Sequence, residues 1–146
     1  VTAAWIALAA ALLVAVPVGL LWWIRSRFVV VTVNGGSMRP TYEPGDRVLV
    51  RRVAAGRVRA GDVVLMASAA PVLRGGEGLG LVKRALAVPG DPVPRERVPA
   101  LAGAREHTVP EGRVVLVGDH PGSDDSRQYG YFPLADLLGV VVRKLP

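Results

Sequence analysis

Cysteine is absent from the 146 residues. Disulfides, thiolate chemistry and cysteine-based zinc sites are thereby excluded, and the redox compartment is left open. Histidine is scarce. His107 and His120 are the only two, too few for a histidine-rich metal site. Aromatic residues make up 5%, with no aromatic-rich basic stripe and no helix-turn-helix pattern. The net charge of +6 therefore points to an anionic lipid surface rather than to nucleic acid. Lysine is nearly missing too: of 18 Lys and Arg residues only Lys83 and Lys144 are lysines. Arginine keeps its proton inside a protein, whereas a desolvated lysine can lose it. A chain that meets its charge needs with arginine has placed a lysine near Val82 and Ala85.

Charge is also missing from Ala3 to Ile24. At about 1.5 Å per residue such a helix reaches ~30 Å, one bilayer core. Trp5 lies near one end and Trp22-Trp23 at the other, where interfacial aromatics belong. Pro17 and Gly19 are tolerated in membrane spans. A cleaved signal peptide would have positive charge before its apolar run and a small-residue cut site after it. Here Arg25 and Arg27 follow instead. Taking Val1 as a start codon read as valine, we expect residues 1–27 to be an uncleaved anchor and 28–146 one domain. The positive-inside rule would put Arg25, Arg27 and all that follows in the cytoplasm.

Beyond the anchor the apolar runs are short, β-branched and punctuated by Gly and Pro. Strands are predicted at Val29–Val33, Arg47–Arg52, Asp62–Met66, Leu81–Val88, Arg113–Val117 and Leu138–Arg143. Turn signals separate them at Pro44-Gly45-Asp46, Ala60-Gly61-Asp62, Pro89-Gly90-Asp91 and Pro110-Glu111-Gly112. Ala67 to Gly80 and Pro92 to Arg105 read as loops. The fold class is mainly β: one N-terminal transmembrane helix, then a small, mostly antiparallel sheet, folded or closed into a partial barrel.

Three stretches carry candidate chemistry. Gly35-Gly36-Ser37-Met38-Arg39-Pro40-Thr41 puts a serine in a glycine turn, where the backbone bends sharply and a substrate approaches closely. Strand Leu81–Val88 puts Lys83 in a row with Leu81, Ala85 and Ala87. Burial there would lower its pKa and let a neutral amine act as base. Gly118-Asp119-His120-Pro121-Gly122-Ser123-Asp124-Asp125-Ser126-Arg127 offers Ser123 to orient the lysine, with Asp125 and Arg127 as a bracing pair. The bland alternatives are an ordinary turn, a snorkelling lysine and a solvated loop.

Together these stretches resemble the type I signal peptidases, membrane-bound serine proteases with a Ser-Lys dyad. Ser37-Met38-Arg39-Pro40-Thr41 is similar to the S-M-x-P-T nucleophile motif, and Gly45-Asp46-Arg47-Val48 to the G-D-x-V strand after it. Lys83-Arg84 with Pro89-Gly90-Asp91 resembles the K-R…P-G-D base motif. Val109-Pro110-Glu111-Gly112, Gly118-Asp119 and Ser123-x-Asp125-Ser126-Arg127 resemble the closing box. The motifs stand in family order over nearly the whole chain. The resemblance implies Ser37 as nucleophile, Lys83 as general base and the Ser37 N–H as oxyanion donor. It implies Ser123 as the residue bonded to the lysine, Asp125 and Arg127 as supports, and Gly35 and Met38 beside the substrate groove. It implies an exported precursor or leader peptide as substrate, cut after small residues without a metal or organic cofactor, with the lipid bilayer as the other partner and the catalytic domain on the extracytoplasmic side. Two departures stand out. His120 replaces the family's Asn, in a loop that reads one residue short. Gly35 stands where some relatives carry a serine whose hydroxyl helps the oxyanion. The small size also resembles members dedicated to one precursor. Two further readings remain open: a self-cleaving Ser-Lys regulator, and a catalytically silent β-module tethered for binding. A Ser-His-Asp arrangement through His120 and Asp119 is a minor variant.

Overall fold

The computed structural model describes residues 2–67 and 80–146, with side chains from Ala4 onward. Helix α1 covers Thr2–Arg27. It is built from Ala, Leu and Val, with Pro17 inside, and Arg25 and Arg27 complement the helix dipole in the last turn. Its segment Ala4–Arg27 is long and apolar enough to cross a membrane. Every described side chain on it is exposed.

Among the described residues seven strands follow: β1 (Phe28–Thr32), β2 (Arg47–Arg51), β3 (Val63–Met66), β4 (Leu81–Ala87), β5 (Arg113–Val117), β6 (Phe132–Pro133) and β7 (Leu137–Leu145). They form one sheet in the order β1-β2-β7-β3-β4-β5-β6. Every pairing is antiparallel. Strands β1 and β6 are its two edges, so the sheet is open rather than closed. The antiparallel β-fold behind a single apolar helix is the one expected from the sequence.

Three turns are made alike. In Glu43–Asp46, Arg59–Asp62 and Val88–Asp91 the fourth N–H bonds the first C=O, at 3.0, 3.1 and 3.0 Å. The third residue is a glycine with φ of +95°, +96° and +89°. That is a type II turn, whose third position admits glycine almost alone. Each closing aspartate then accepts the first residue's N–H, at 2.8, 2.9 and 2.9 Å. The Gly-Asp pairs of the sequence are thus turn locks, with the exception of Gly118-Asp119.

The core has three parts. Val31, Val33, Val48, Val50, Leu65 and Val82 pack together under β1 and β2. Val64, Met66, Ala85, Val114 and Leu116 form the middle. Val93, Val98 and Leu101 fold back on Ala87, Val109 and Val115. The segment Pro92 to Arg105, expected to be a plain loop, therefore carries its own packing, with a short 3-10 turn at Pro99–Leu101. The other expected loop, Ala67 to Gly80, falls largely on residues 68–79, outside the described residues. Strand β6 and a one-turn helix α2 at Ser126–Tyr129 are additions to the elements expected from sequence. Two residues are too short for any periodicity, and the proline in β6 sits on an edge strand, where a missing donor is harmless.

Candidate active site

The β1–β2 ladder extends past β1 through Val33, whose N–H bonds Asp46 O at 2.8 Å and whose C=O accepts Gly45 N–H at 2.9 Å. Residues 34–44 are thereby cinched at the base. Inside this loop Arg39 N–H bonds Gly36 O, and Tyr42 N–H bonds Met38 O. Met38 is wholly buried, packed with Val31, Val33 and Val48. Ser37 just before it is half-buried and Gly35 is exposed with φ +78°. The Met38 side chain fills irregular apolar space in the core, and it pins the serine turn to the sheet from beneath.

Lys83 stands on β4 opposite Val64 of β3, 2% exposed. A strand residue facing the core has nowhere else to put its side chain. Its Nζ donates to Ser123 Oγ at 2.5 Å, and Ser123 is buried too. Burial pushes the Lys83 pKa below its ordinary 10.5; Asp125 and Asp124 pull it partly back, and Arg127 opposes them. Every other lysine and arginine among the described residues is half-buried or exposed.

The loop after β5 is stitched through Asp125, which is fully buried. Its carboxylate accepts Gly118 N–H at 2.7 Å, Arg127 N–H at 3.0 Å and both Nε and Nη2 of Arg127, at 2.9 and 2.7 Å. Arg127 Nη2 also reaches His120 O at 3.1 Å. Asp125 caps α2, with Gln128 returning the bond in a capping box. Burial pushes the Asp125 pKa up, but the bonds from Arg127 and Gly118 outweigh it and hold it below the usual 3.8. A depressed folded-state pKa adds stability above the unfolded value, and that stability disappears as pH falls through the folded one. Asp125→Asn is therefore expected to lower the melting temperature at pH 7 and to flatten its decline below about pH 4. Thermal melts from pH 7 to pH 2 check this; parallel curves for the two proteins would refute it.

Asp119 does not lock a turn like the other three Gly-Asp aspartates. It takes a two-pronged bond from Arg84 (Nε to Oδ1 at 2.8 Å, Nη2 to Oδ2 at 2.7 Å) and a third from Thr41 Oγ1 at 2.5 Å. Arg84 Nη1 reaches Gly61 O at 2.9 Å. The strand beside Lys83, the serine loop and the β5 loop are thus tied at one carboxylate. These bonds hold the Asp119 pKa down, against a smaller upward push from burial. Sequence reasoning places Arg84 and Asp119 in motifs without pairing them. His120 is exposed, and its Nδ1 accepts Gly122 N–H at 3.1 Å. Asp119 is thus committed to Arg84 and Thr41, and no bond joins it to the imidazole.

The serine loop and the loop after β5 meet at Gly118. A Cβ built there would overlap both Ser123 Oγ and Ser37 O. The Ser37 carbonyl also accepts His120 N–H at 3.0 Å. The backbone of half-buried Ser37 and the buried hydroxyl of Ser123 accordingly flank one glycine, and Ser123 in turn holds the desolvated Lys83 amine. Among the described residues no three carboxylates or imidazoles converge as metal ligands would.

A family model described as signal peptidase, peptidase S26, matches residues 3–98 and 95–145 of the chain. None of the curated proteins compared with the chain matches it.

Proposed function

The chain belongs to the signal peptidase family, peptidase S26, and from that premise we propose that residues 28–146 are a catalytic domain in which Ser37 is the nucleophile and Lys83 its general base. Family membership makes the chain a signal-peptidase-type protease. Lys83 Nζ, neutral, takes the Ser37 proton as Oγ attacks the scissile carbonyl. The Ser37 N–H donates to the oxyanion. The lysine passes its proton to the leaving amine, and an acyl-enzyme remains on Ser37. Lys83 then takes a proton from a water as it attacks the acyl carbonyl, and returns that proton to Ser37 Oγ as the C–O bond breaks, which releases the acid and regenerates the serine and the neutral lysine. Ser123 holds the amine in place, and Asp125 with Arg127 braces the loop that carries Ser123. The substrate is an exported precursor or leader peptide with small residues before the cut, laid down as an extended strand. The anchor at 1–27 holds the domain at the bilayer on the extracytoplasmic face, where signal peptides emerge.

One observation carries this reading most: the most buried cation among the described residues is bonded to a hydroxyl and to no carboxylate. A structural buried cation is ordinarily paired with an anion. An acylating serine probe is expected to modify the full-length protein once, at Ser37, and to leave folded Ser37→Ala unmodified. The unmodified protein is expected to cleave a precursor with alanine before the cut, in trans. Cleavage confined to the protein's own chain would favour a self-cleaving regulator. Neither labelling nor cleavage by folded protein would favour a silent binding module.

A further inference from the structure

Where α1 meets the sheet the surface is concave and strongly basic. Arg52 N–H bonds Arg27 O at 2.8 Å, which draws the chain after β2 against the end of the helix. A cleft of about 490 Å³ opens there, lined by Trp23, Arg27, Arg51, Arg52 and Arg57. It adjoins a second of about 480 Å³, which shares Arg51 and Arg57 and adds Arg59. All five arginines are exposed, and among the described residues none is in an ion pair. The one described carboxylate on the lining, Asp62, is turned to Arg59 N–H at 2.9 Å, closing its own turn. Arg27 lies over the Trp23 ring at 5.8 Å.

The position of this cluster decides what it meets. Trp23 and Arg27 close a helix of one bilayer thickness, so the cleft opens at the depth of the lipid headgroups. Five like charges around a hollow repel one another and favour an anion in it. Guanidinium groups suit a phosphate, which they can grip by two N–H bonds each. We propose that the cleft between Trp23, Arg27, Arg51, Arg52, Arg57 and Arg59 seats the phosphate of an anionic phospholipid headgroup. The headgroup sets the depth of α1 and the tilt of the sheet on the bilayer. It also gives Arg27 a role on whichever leaflet it faces, so its presence after the apolar run need not mark a cytoplasmic side.

The test uses the full chain in detergent micelles, with native mass spectrometry counting retained lipid. Phosphatidylglycerol and phosphatidylcholine with the same acyl chains are offered together. The expected result is retention of phosphatidylglycerol in preference to phosphatidylcholine. Arg52→Gln with Arg57→Gln is expected to reduce that preference about thirtyfold, on the usual gain per basic residue at an anionic surface. Arg105→Gln with Arg113→Gln, which removes equal charge from exposed positions elsewhere, is expected to leave it unchanged. Arg52→Lys with Arg57→Lys, which keeps the charge but loses the two-pronged grip, is expected to fall between the glutamine variant and the unmodified protein. Equal loss in the remote pair would overturn the proposal in favour of diffuse attraction. Displacement of the lipid by millimolar inorganic phosphate would overturn it in favour of a free-anion site. An unchanged preference in Arg52→Gln with Arg57→Gln would overturn it outright. Melting temperatures of all variants, expected within a few degrees of one another, separate these outcomes from misfolding.

Discussion

Lys83→Arg is expected to lower turnover of an alanine-ending precursor by at least about 10³-fold, the upper part of the range for losing a general base. The guanidinium keeps a positive charge and can still reach toward Ser123, but it does not release its proton at any pH a protein survives. Deprotonation is thus the property removed. The pH profile supplies an independent check. Burial lowers the Lys83 pKa from 10.5, so activity of the unmodified protein should rise with pH through an apparent value below 10.5. The rise should vanish in any residual activity of the arginine variant. Stability supplies a third measure. Between the folded and unfolded pKa values of a lysine whose folded value is depressed, the unfolded chain binds the extra proton. Stability there rises with pH, and at neutral pH the buried amine is a net cost. Lys83→Met, similar in length and without charge, is therefore expected to melt higher than the unmodified protein near pH 7, by roughly a few degrees, while being inactive. That pairing is characteristic of a group kept for chemistry at the expense of stability. The measurements are steady-state cleavage from pH 6 to pH 10 and thermal melts of both variants in detergent. A fully active arginine variant sinks the assignment of Lys83 as base. A methionine variant that melts lower, with activity retained, would make Lys83 a structural residue.

Local chemistry made the frame legible. An uncharged run of bilayer length can hardly be anything but an apolar helix. Pro-Gly-Asp marks type II turns because proline fixes φ, glycine accepts a positive φ and aspartate brings a side-chain acceptor. The short β-branched runs between such turns had little choice but to be strands, and most of their bounds agree with the sheet to within a residue. The order of those strands was not legible. Strand β7 comes last in the chain yet lies between β2 and β3, and no local signal says which earlier edges a terminal strand will join.

The site was legible as residue types and not as contacts. Asp119 sits in a Gly-Asp pair like Asp46, Asp62 and Asp91, and sequence cannot say that it alone turns away to Arg84 and Thr41. Met38 adjoins the serine in sequence, and its burial follows from β1 and β2 closing beneath it. Helix α2 did leave a signal: Asp125-Ser126-Arg127-Gln128 has the spacing of a capping box. The family motif runs through the same residues and masks it. Neither the shortened loop nor His120 displaces Ser123 from the amine.

Gly118→Ala is expected to cost about 10²-fold or more in kcat. The reason is steric. The new Cβ would fall on Ser123 Oγ and on the Ser37 carbonyl oxygen together. Gly118 has no room to retreat, since its N–H is held by Asp125 Oδ2 at 2.7 Å and its C=O by Arg127 Nη2 at 3.3 Å. Its φ lies outside the glycine-only region, so alanine brings no backbone strain of its own. One of the two neighbours must then yield. If Ser123 turns away, Lys83 loses the bond that aims its amine. If the Ser37 backbone moves, the serine and its N–H shift together, and the bond from His120 N–H to Ser37 O breaks. Overpacking of this kind also destabilises, by about 1–3 kcal/mol, which leaves room for a folded protein to assay. Gly122→Ala is the control: its Cβ would meet only the exposed His120 ring at 3.3 Å, which can swing aside. Cleavage kinetics and probe labelling of the two variants decide the matter. The expected pattern is a collapse of kcat with KM little changed for Gly118→Ala, and near-normal values for Gly122→Ala. Normal kcat in folded Gly118→Ala would mean that Ser37 and the Lys83–Ser123 pair do not depend on closing around this glycine, and that the productive geometry is set elsewhere.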